Sequence, residues 1–174
     1  VFVFGGSLGA KSINDTLMAQ FGRILDSGAQ LIWQTGTTSY PAAVAAVKGF
    51  EDRVKVFEFI REMEYAYAAA DVIVSRSGAS SIAELCLVGK PVVFVPFPFA
   101  SEDHQTHNAL ALVSVNAALM VKNAEVGTEL LNKIILLLSD PTHEEVMKDN
   151  IQKLAIRDAD IRIAEKIAEI APIR

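Results

Sequence analysis

The sequence predicts an α/β fold, a doubly wound, six-stranded parallel sheet with helices on both faces. Three observations carry that expectation. Short runs of β-branched and aromatic residues alternate with longer segments of helical period, the signature of βαβ units. Most of those runs are apolar throughout rather than alternating, as strands covered on both faces must be. The 174 residues, 51% apolar and 21% charged, are enough chain for one well-buried core and match the length of one domain.

The chain opens on Val1-Phe2-Val3-Phe4, which reads as a buried strand. A helix over residues 10–26 follows, then a strand over 30–34, a helix over 40–47 and a strand over 54–57. The alternation continues with a helix at 63–69, a strand at 72–75, a helix at 80–88, a strand at 91–95, a helix at 104–114 and a strand at 118–121. Gly28, Gly36, Gly49 and Gly89 punctuate these segments where a chain without a Cβ clash can turn. Three helical stretches close the sequence, at residues 126–138, 143–156 and 161–170, with Asp140-Pro141 between the first two. Ile151, Leu154 and Ala155 repeat at helical spacing, as do Ile163, Ile167 and Ile170, so these helices are expected to bury one face.

Composition narrows the function. A net charge of -5 and the lack of a basic stripe argue against nucleic acid, whose phosphates need Lys and Arg gathered on one face. The single cysteine, Cys86, rules out an internal disulfide and suggests a reducing compartment; its neighbours Leu85, Leu87 and Val88 mark it as core packing. The apolar stretch at 109–121, interrupted by Ser114 and Asn116, falls short of the ~20 residues a membrane span needs. With neither Met nor a basic segment before the first strand, the chain is expected to be a piece of a longer one.

Open parallel sheets bind ligands at the carboxyl ends of their strands, so the loops after strands carry the chemistry. The first, GGSLGAKS at residues 5–12, leads from a strand into a helix and can line an anion site with backbone N–H groups. It nearly spells a P-loop, but Ala10 stands where G-x-x-x-x-G-K-[ST] needs glycine, and the G-x-G-x-x-G fingerprint does not fit either. The loop SRSGASS at residues 75–81 sets small side chains before a helix that carries Glu84, a natural diphosphate cradle. A carboxylate at Glu84 can accept both hydroxyl protons of a ribose. The local alternative is a capping box, Ser81-Ile82-Ala83-Glu84, worth ~1 kcal/mol of helix stability. In the proline-broken segment 96–108, His104, His107 and Asp103 raise a metal site, whereas ordinary capping and a Gln105 amide reading a polyhydroxyl ligand account for the same residues without one.

Five motifs stand in order along the chain. They are GGSLGA at 5–10; EFI at 58–60 followed by Met63, Ala66, Tyr67 and Asp71; SRSGASSIAE at 75–84; GKPVVFVPFP at 89–98; and EDHQTHNA at 102–109. Together they resemble the C-terminal, donor-binding half of the MurG-type transferases, which add N-acetylglucosamine to the lipid-linked muramoyl-pentapeptide precursor of bacterial peptidoglycan. The resemblance implies that residues 1–174 form a Rossmann-like donor lobe of a two-lobed GT-B glycosyltransferase whose acceptor lobe lies outside this chain. It implies an inverting transfer that uses no metal and no cofactor. Ser7 would contact the donor and the Ile60 backbone would hold the uracil edge. Ala79, Ser80 and Ser81 would face the diphosphate, Glu84 the ribose, and Gln105 with His104 the sugar ring. No catalytic residue is expected here, because the general base would come from the absent lobe. The implied partners are UDP-N-acetylglucosamine and, through that lobe, the lipid-linked acceptor at the cytoplasmic side of the inner membrane. The piece itself would be soluble, binding donor while transferring little.

Two other readings compete. A P-loop nucleotide hydrolase would use Lys11 and Ser12, but the apolar strands end in Gln34, Ser75 and Pro96 and supply no acidic metal ligand. A stand-alone nucleotide-sugar-binding module would use the same loops without catalysis.

Overall fold

The computed structural model describes residues 1–171. Strands β1 (Phe2–Phe4), β2 (Leu31–Gln34), β3 (Val54–Phe57), β4 (Ile73–Ser75), β5 (Val92–Phe94) and β6 (Leu119–Met120) form one sheet. All pair in parallel, in the order β3-β2-β1-β4-β5-β6. The helices are α1 (Lys11–Gln20), α2 (Gly22–Asp26), α3 (Tyr40–Ala46), α4 (Met63–Ala69), α5 (Ala79–Val88), α6 (His104–Val113), α7 (Val126–Ser139), α8 (Pro141–Gln152) and α9 (Ala159–Ile170). The expected doubly wound α/β sheet is therefore present, and its strand order reverses between β1 and β4.

Alternate residues of each strand feed two cores. Val1, Val3, Leu31, Trp33, Val74 and Val93 pack against α1, α2, α3 and α7. Phe2, Phe4, Ile73, Val92 and Phe94 face the other way, against α4, α5, α6 and Ile151 of α8. Cys86 is buried in this second layer, where desolvation raises its thiol pKa, in keeping with the packing role read from its neighbours. Gly28, Gly36, Gly49 and Gly89 all adopt positive φ, as their punctuating positions predict.

Three expectations need correction. The helix expected over residues 10–26 is divided into α1 and α2 at Phe21, which keeps helical φ/ψ with its ring edge-on to Phe50 at 5.4 Å and precedes Gly22, a poor helix former. The helix expected at 143–156 runs Pro141–Gln152 instead, because the Asp140 side chain accepts the His143 N–H and Pro141 suits the first helical position. The last helices do not each bury a face. Helix α8 buries Met147 and Ile151, but Leu154 lies beyond its end and is exposed, and no residue of α9 is buried. Ile163, Ile167 and Ile170 do share one side of α9, yet among the described residues nothing covers it.

Candidate functional site

Where the strand order reverses, the loops after β1 and β4 splay apart above the sheet and open a cleft of about 670 Å3. Its floor is Gly5 to Ser12. Arg76, Gly78, Ser81 and Gln105 form one wall, and Phe97 to Phe99 form the rim.

The glycine loop is folded against the end of β2. Gly9 lies at φ +79°, and a Cβ there would fall 1.9 Å from the Thr35 carbonyl oxygen. Behind it, buried Asn14 donates Nδ2–H to that same carbonyl (2.8 Å) and accepts the Trp33 indole N–H (3.0 Å). The loop thus sits on a satisfied polar strut inside the core, which holds Ser7 and Leu8 exposed at its tip. Lys11 points outward and pairs with Asp15 one turn along α1, and Ser12 Oγ donates to Asn123 Oδ1 (2.7 Å). Both border the cleft, but each side chain is already engaged, with Asp15 and Asn123, and the hydrolase alternative finds no support.

Helix α5 begins at Ala79, with Gly78 extended at its N-cap and no side chain capping it. Ser81 is the third helical residue, not the cap, so the capping box read from Ser81 to Glu84 does not form. The first bond of the helix runs from Ile82 N–H to Gly78 C=O. The amides of Ala79, Ser80 and Ser81 accordingly donate to nothing among the described residues. Of the four hydroxyls in this loop, two are structural: Ser75 Oγ donates to Arg76 C=O (2.9 Å), and buried Ser77 Oγ donates to Gln105 C=O (2.8 Å). Ser80 and Ser81 keep theirs unengaged among the described residues.

Arg76 is the main feature that the sequence reading left unassigned. Its guanidinium donates to Val95 C=O (3.0 Å), Pro96 C=O (2.9 Å), Asn123 Oδ1 (2.9 Å) and, at 3.4 Å, Ser12 Oγ, and it lies 5.7 Å from the Phe97 ring centroid. Among the described residues no carboxylate pairs with it. Burial pulls its pKa down to about 10, which leaves it charged at neutral pH beside the cleft.

The expected residues do not all share that cleft. Ser7, Ser81 and Gln105 line it. Gln105 Oε1 accepts the Phe97 N–H (3.0 Å), which leaves its Nε2 as the free donor. His104 is exposed on the first turn of α6, where its Nδ1–H donates to Ser101 C=O (2.8 Å). Ala79, Ser80 and Glu84 border a separate, largely apolar groove between α5 and α6. The hydroxyl of buried Tyr67 has no well-formed hydrogen bond; burial, then the charge and proximity of Glu84, raise its pKa. Ile60 lines a third hollow of about 360 Å3 with Phe57, Phe59 and Tyr65. Its N–H is held by Gln34 Oε1 (2.8 Å), and its carbonyl accepts no hydrogen bond among the described residues. No three His, Cys, Asp or Glu side chains among the described residues gather as metal ligands, and no described helix is long and apolar enough to cross a membrane.

Comparison with known proteins gives a consistent answer. The model of the glycosyltransferase family 28 C-terminal domain matches residues 1–163. The UDP-N-acetylglucosamine--N-acetylmuramyl-(pentapeptide) pyrophosphoryl-undecaprenol N-acetylglucosamine transferase of Phocaeicola vulgatus is 46% identical over 173 residues, covering 98% of this chain and 46% of that protein. The protein of the same name from Bacteroides thetaiotaomicron is 43% identical over 174 residues, 98% of this chain and 47% of its own. Among solved structures, MurG of Acinetobacter baumannii superposes with a TM-score of 0.81 at 29% identity, covering 97% of this chain and 49% of that one. The chain therefore spans about half the length of the curated relatives it matches.

Proposed function

This chain belongs to the glycosyltransferase family 28 C-terminal domain family, and on that premise we propose that it is the donor-binding half of an N-acetylglucosaminyltransferase of peptidoglycan synthesis. Its ligand is UDP-N-acetylglucosamine. The observation that carries the reading is the trio of unsatisfied amides at Ala79, Ser80 and Ser81, at the start of a helix of 10 residues beside the cleft at the switch point. A diphosphate satisfies those donors and gains from the helix dipole, and the unpaired Arg76 cation adds positive potential behind it.

The other contacts come from this cleft and from the two concavities beside it. The free carbonyl of Ile60 accepts the ring N–H of uracil while Phe59 and Tyr65 flank the base. Glu84 accepts the two ribose hydroxyls from the second turn of α5, and Ser7 reaches the phosphates across the glycine loop. Gln105 Nε2 donates to a sugar hydroxyl, with His104 beside it. As the glycosidic bond to UDP breaks, negative charge grows on the diphosphate, where the amides already point, so the leaving group is stabilised without a metal. The attacking hydroxyl comes from a lipid-linked muramoyl-pentapeptide held by the other half of the enzyme at the inner face of the membrane. That half supplies the general base.

Titration calorimetry of the 174-residue chain with UDP tests the reading, paired with Glu84→Ala. Glu84 is exposed and caps nothing, so its truncation is expected to weaken UDP at least about tenfold while shifting Tm by no more than ~2 °C. Full retention of UDP affinity by Glu84→Ala removes the ribose role. Failure of the parent chain to bind UDP removes the donor-site reading.

A further inference from the structure

The cleft beside α5 and the hollow at Ile60 are separate concavities, yet one side chain touches the walls of both. Gln34 ends β2, is 3% exposed, and spends its carboxamide on two loops that are remote from it in sequence. Its Nε2 donates to Gly6 C=O in the glycine loop (3.2 Å), and its Oε1 accepts the Ile60 N–H in the loop after β3 (2.8 Å). A buried amide at a strand end has only to satisfy its own hydrogen-bonding capacity, which a single neighbouring turn can do. Here the two ends of one planar group fix the spacing between the loop assigned to the phosphates and the loop assigned to the base.

We infer that Gln34 is a positioning residue that sets the register between the phosphate-binding and base-binding halves of the donor site, so that a nucleoside diphosphate engages both at once. The inference rests on the donor-site reading above. A ligand spanning two half-sites gains affinity only when their separation matches its own length; once the separation drifts, each half still binds but the linked ligand loses its advantage. Gln34 also occupies the Ile60 N–H, so the edge presented at that residue is an acceptor alone.

The test is a comparison of a spanning ligand with a half-site ligand. Gln34→Met keeps the side-chain volume and removes both hydrogen bonds. Gln34→Glu keeps the acceptor for Ile60 N–H and sets a carboxylate oxygen against the Gly6 carbonyl, so it serves if the Met variant fails to fold. With folding verified by circular dichroism, UDP and inorganic pyrophosphate are titrated into the parent chain and the variant. The expected result is UDP weakened about tenfold, ~1.4 kcal/mol, with pyrophosphate changed by less than about twofold. UDP affinity within about twofold of the parent overturns the inference, as does an equal loss of both ligands, which would mark Gln34 as a structural support only. Absence of UDP binding in the parent chain overturns the donor-site reading itself, and this inference with it, before any variant is made.

Discussion

At position 9 the difference between hydrogen and methyl decides whether the glycine loop can lie where it does. The backbone is left-handed there and an added Cβ meets a carbonyl oxygen, whereas at Gly6, also left-handed at φ +85°, the same atom meets nothing within 4 Å. Gly9→Ala is therefore expected to cost about 3–5 kcal/mol, combining backbone strain and overlap, and Gly6→Ala only ~1–2 kcal/mol. Urea unfolding of the two variants checks this, and equal losses would refute the close-approach argument. Asn14 illustrates what sequence cannot show at this scale. It stands among Ile13 and Leu17 on the inward face of α1, and its partners Trp33 and Thr35 lie some twenty positions away. Replacing it by Ala strands an indole N–H and a carbonyl in the core, so a loss of about 2–4 kcal/mol is expected in the same assay. Arg76 stands in a serine-rich loop, but its main acceptors follow β5 and β6, and only the folded chain brings them to it.

At the scale of elements, periodicity and punctuation located all six strands: the inner runs, covered on both faces, must be apolar whatever lies beside them, and the edge strand β3, with Lys55 exposed, is marked by its valines. Beyond the helix bounds corrected above, the same reasoning overreached at α5 and α9. The S-x-x-E pattern in α5 is real, but the N-cap falls three residues earlier, at Gly78, whose extended backbone starts the helix and leaves three amides free. Helix α9 has the period of an amphipathic helix and an exposed apolar side, since period tells which residues share a face and says nothing of what meets it. Because α9 buries no side chain, removing residues 158–174 is expected to change the unfolding free energy by less than ~1 kcal/mol. A loss of several kcal/mol in urea denaturation would show that this helix supports the core.

For the whole molecule, the switch point opens the cleft that Ser7, Ser81 and Gln105 line. The β1 and β4 ends are adjacent only because the sheet is wound outward in both directions from them, and the two helices leaving those strands start on opposite sides of one cleft. Large apolar side chains crowd the rim, with Leu8 and Phe99 more than four-fifths exposed, a surface suited to being covered. On the donor-half reading proposed above, and with the chain spanning about half the length of its relatives, it is expected to bind UDP-N-acetylglucosamine but to transfer sugar to a lipid-linked acceptor at no more than background rate. A radiolabelled transfer assay measures this, and robust turnover would place the general base within these 174 residues.

By itself the sequence determined the α/β class, the succession of strands and helices and the family, because these depend on local periodicity, turn residues and short contiguous motifs. Tertiary structure alone decided the sheet order, the division of the expected contact residues among three concavities, the lone Arg76 cation and the span of Gln34 from Gly6 to Ile60. Those features are hydrogen bonds and surfaces shared by residues far apart along the chain, and their partners are chosen by packing, which no local pattern encodes.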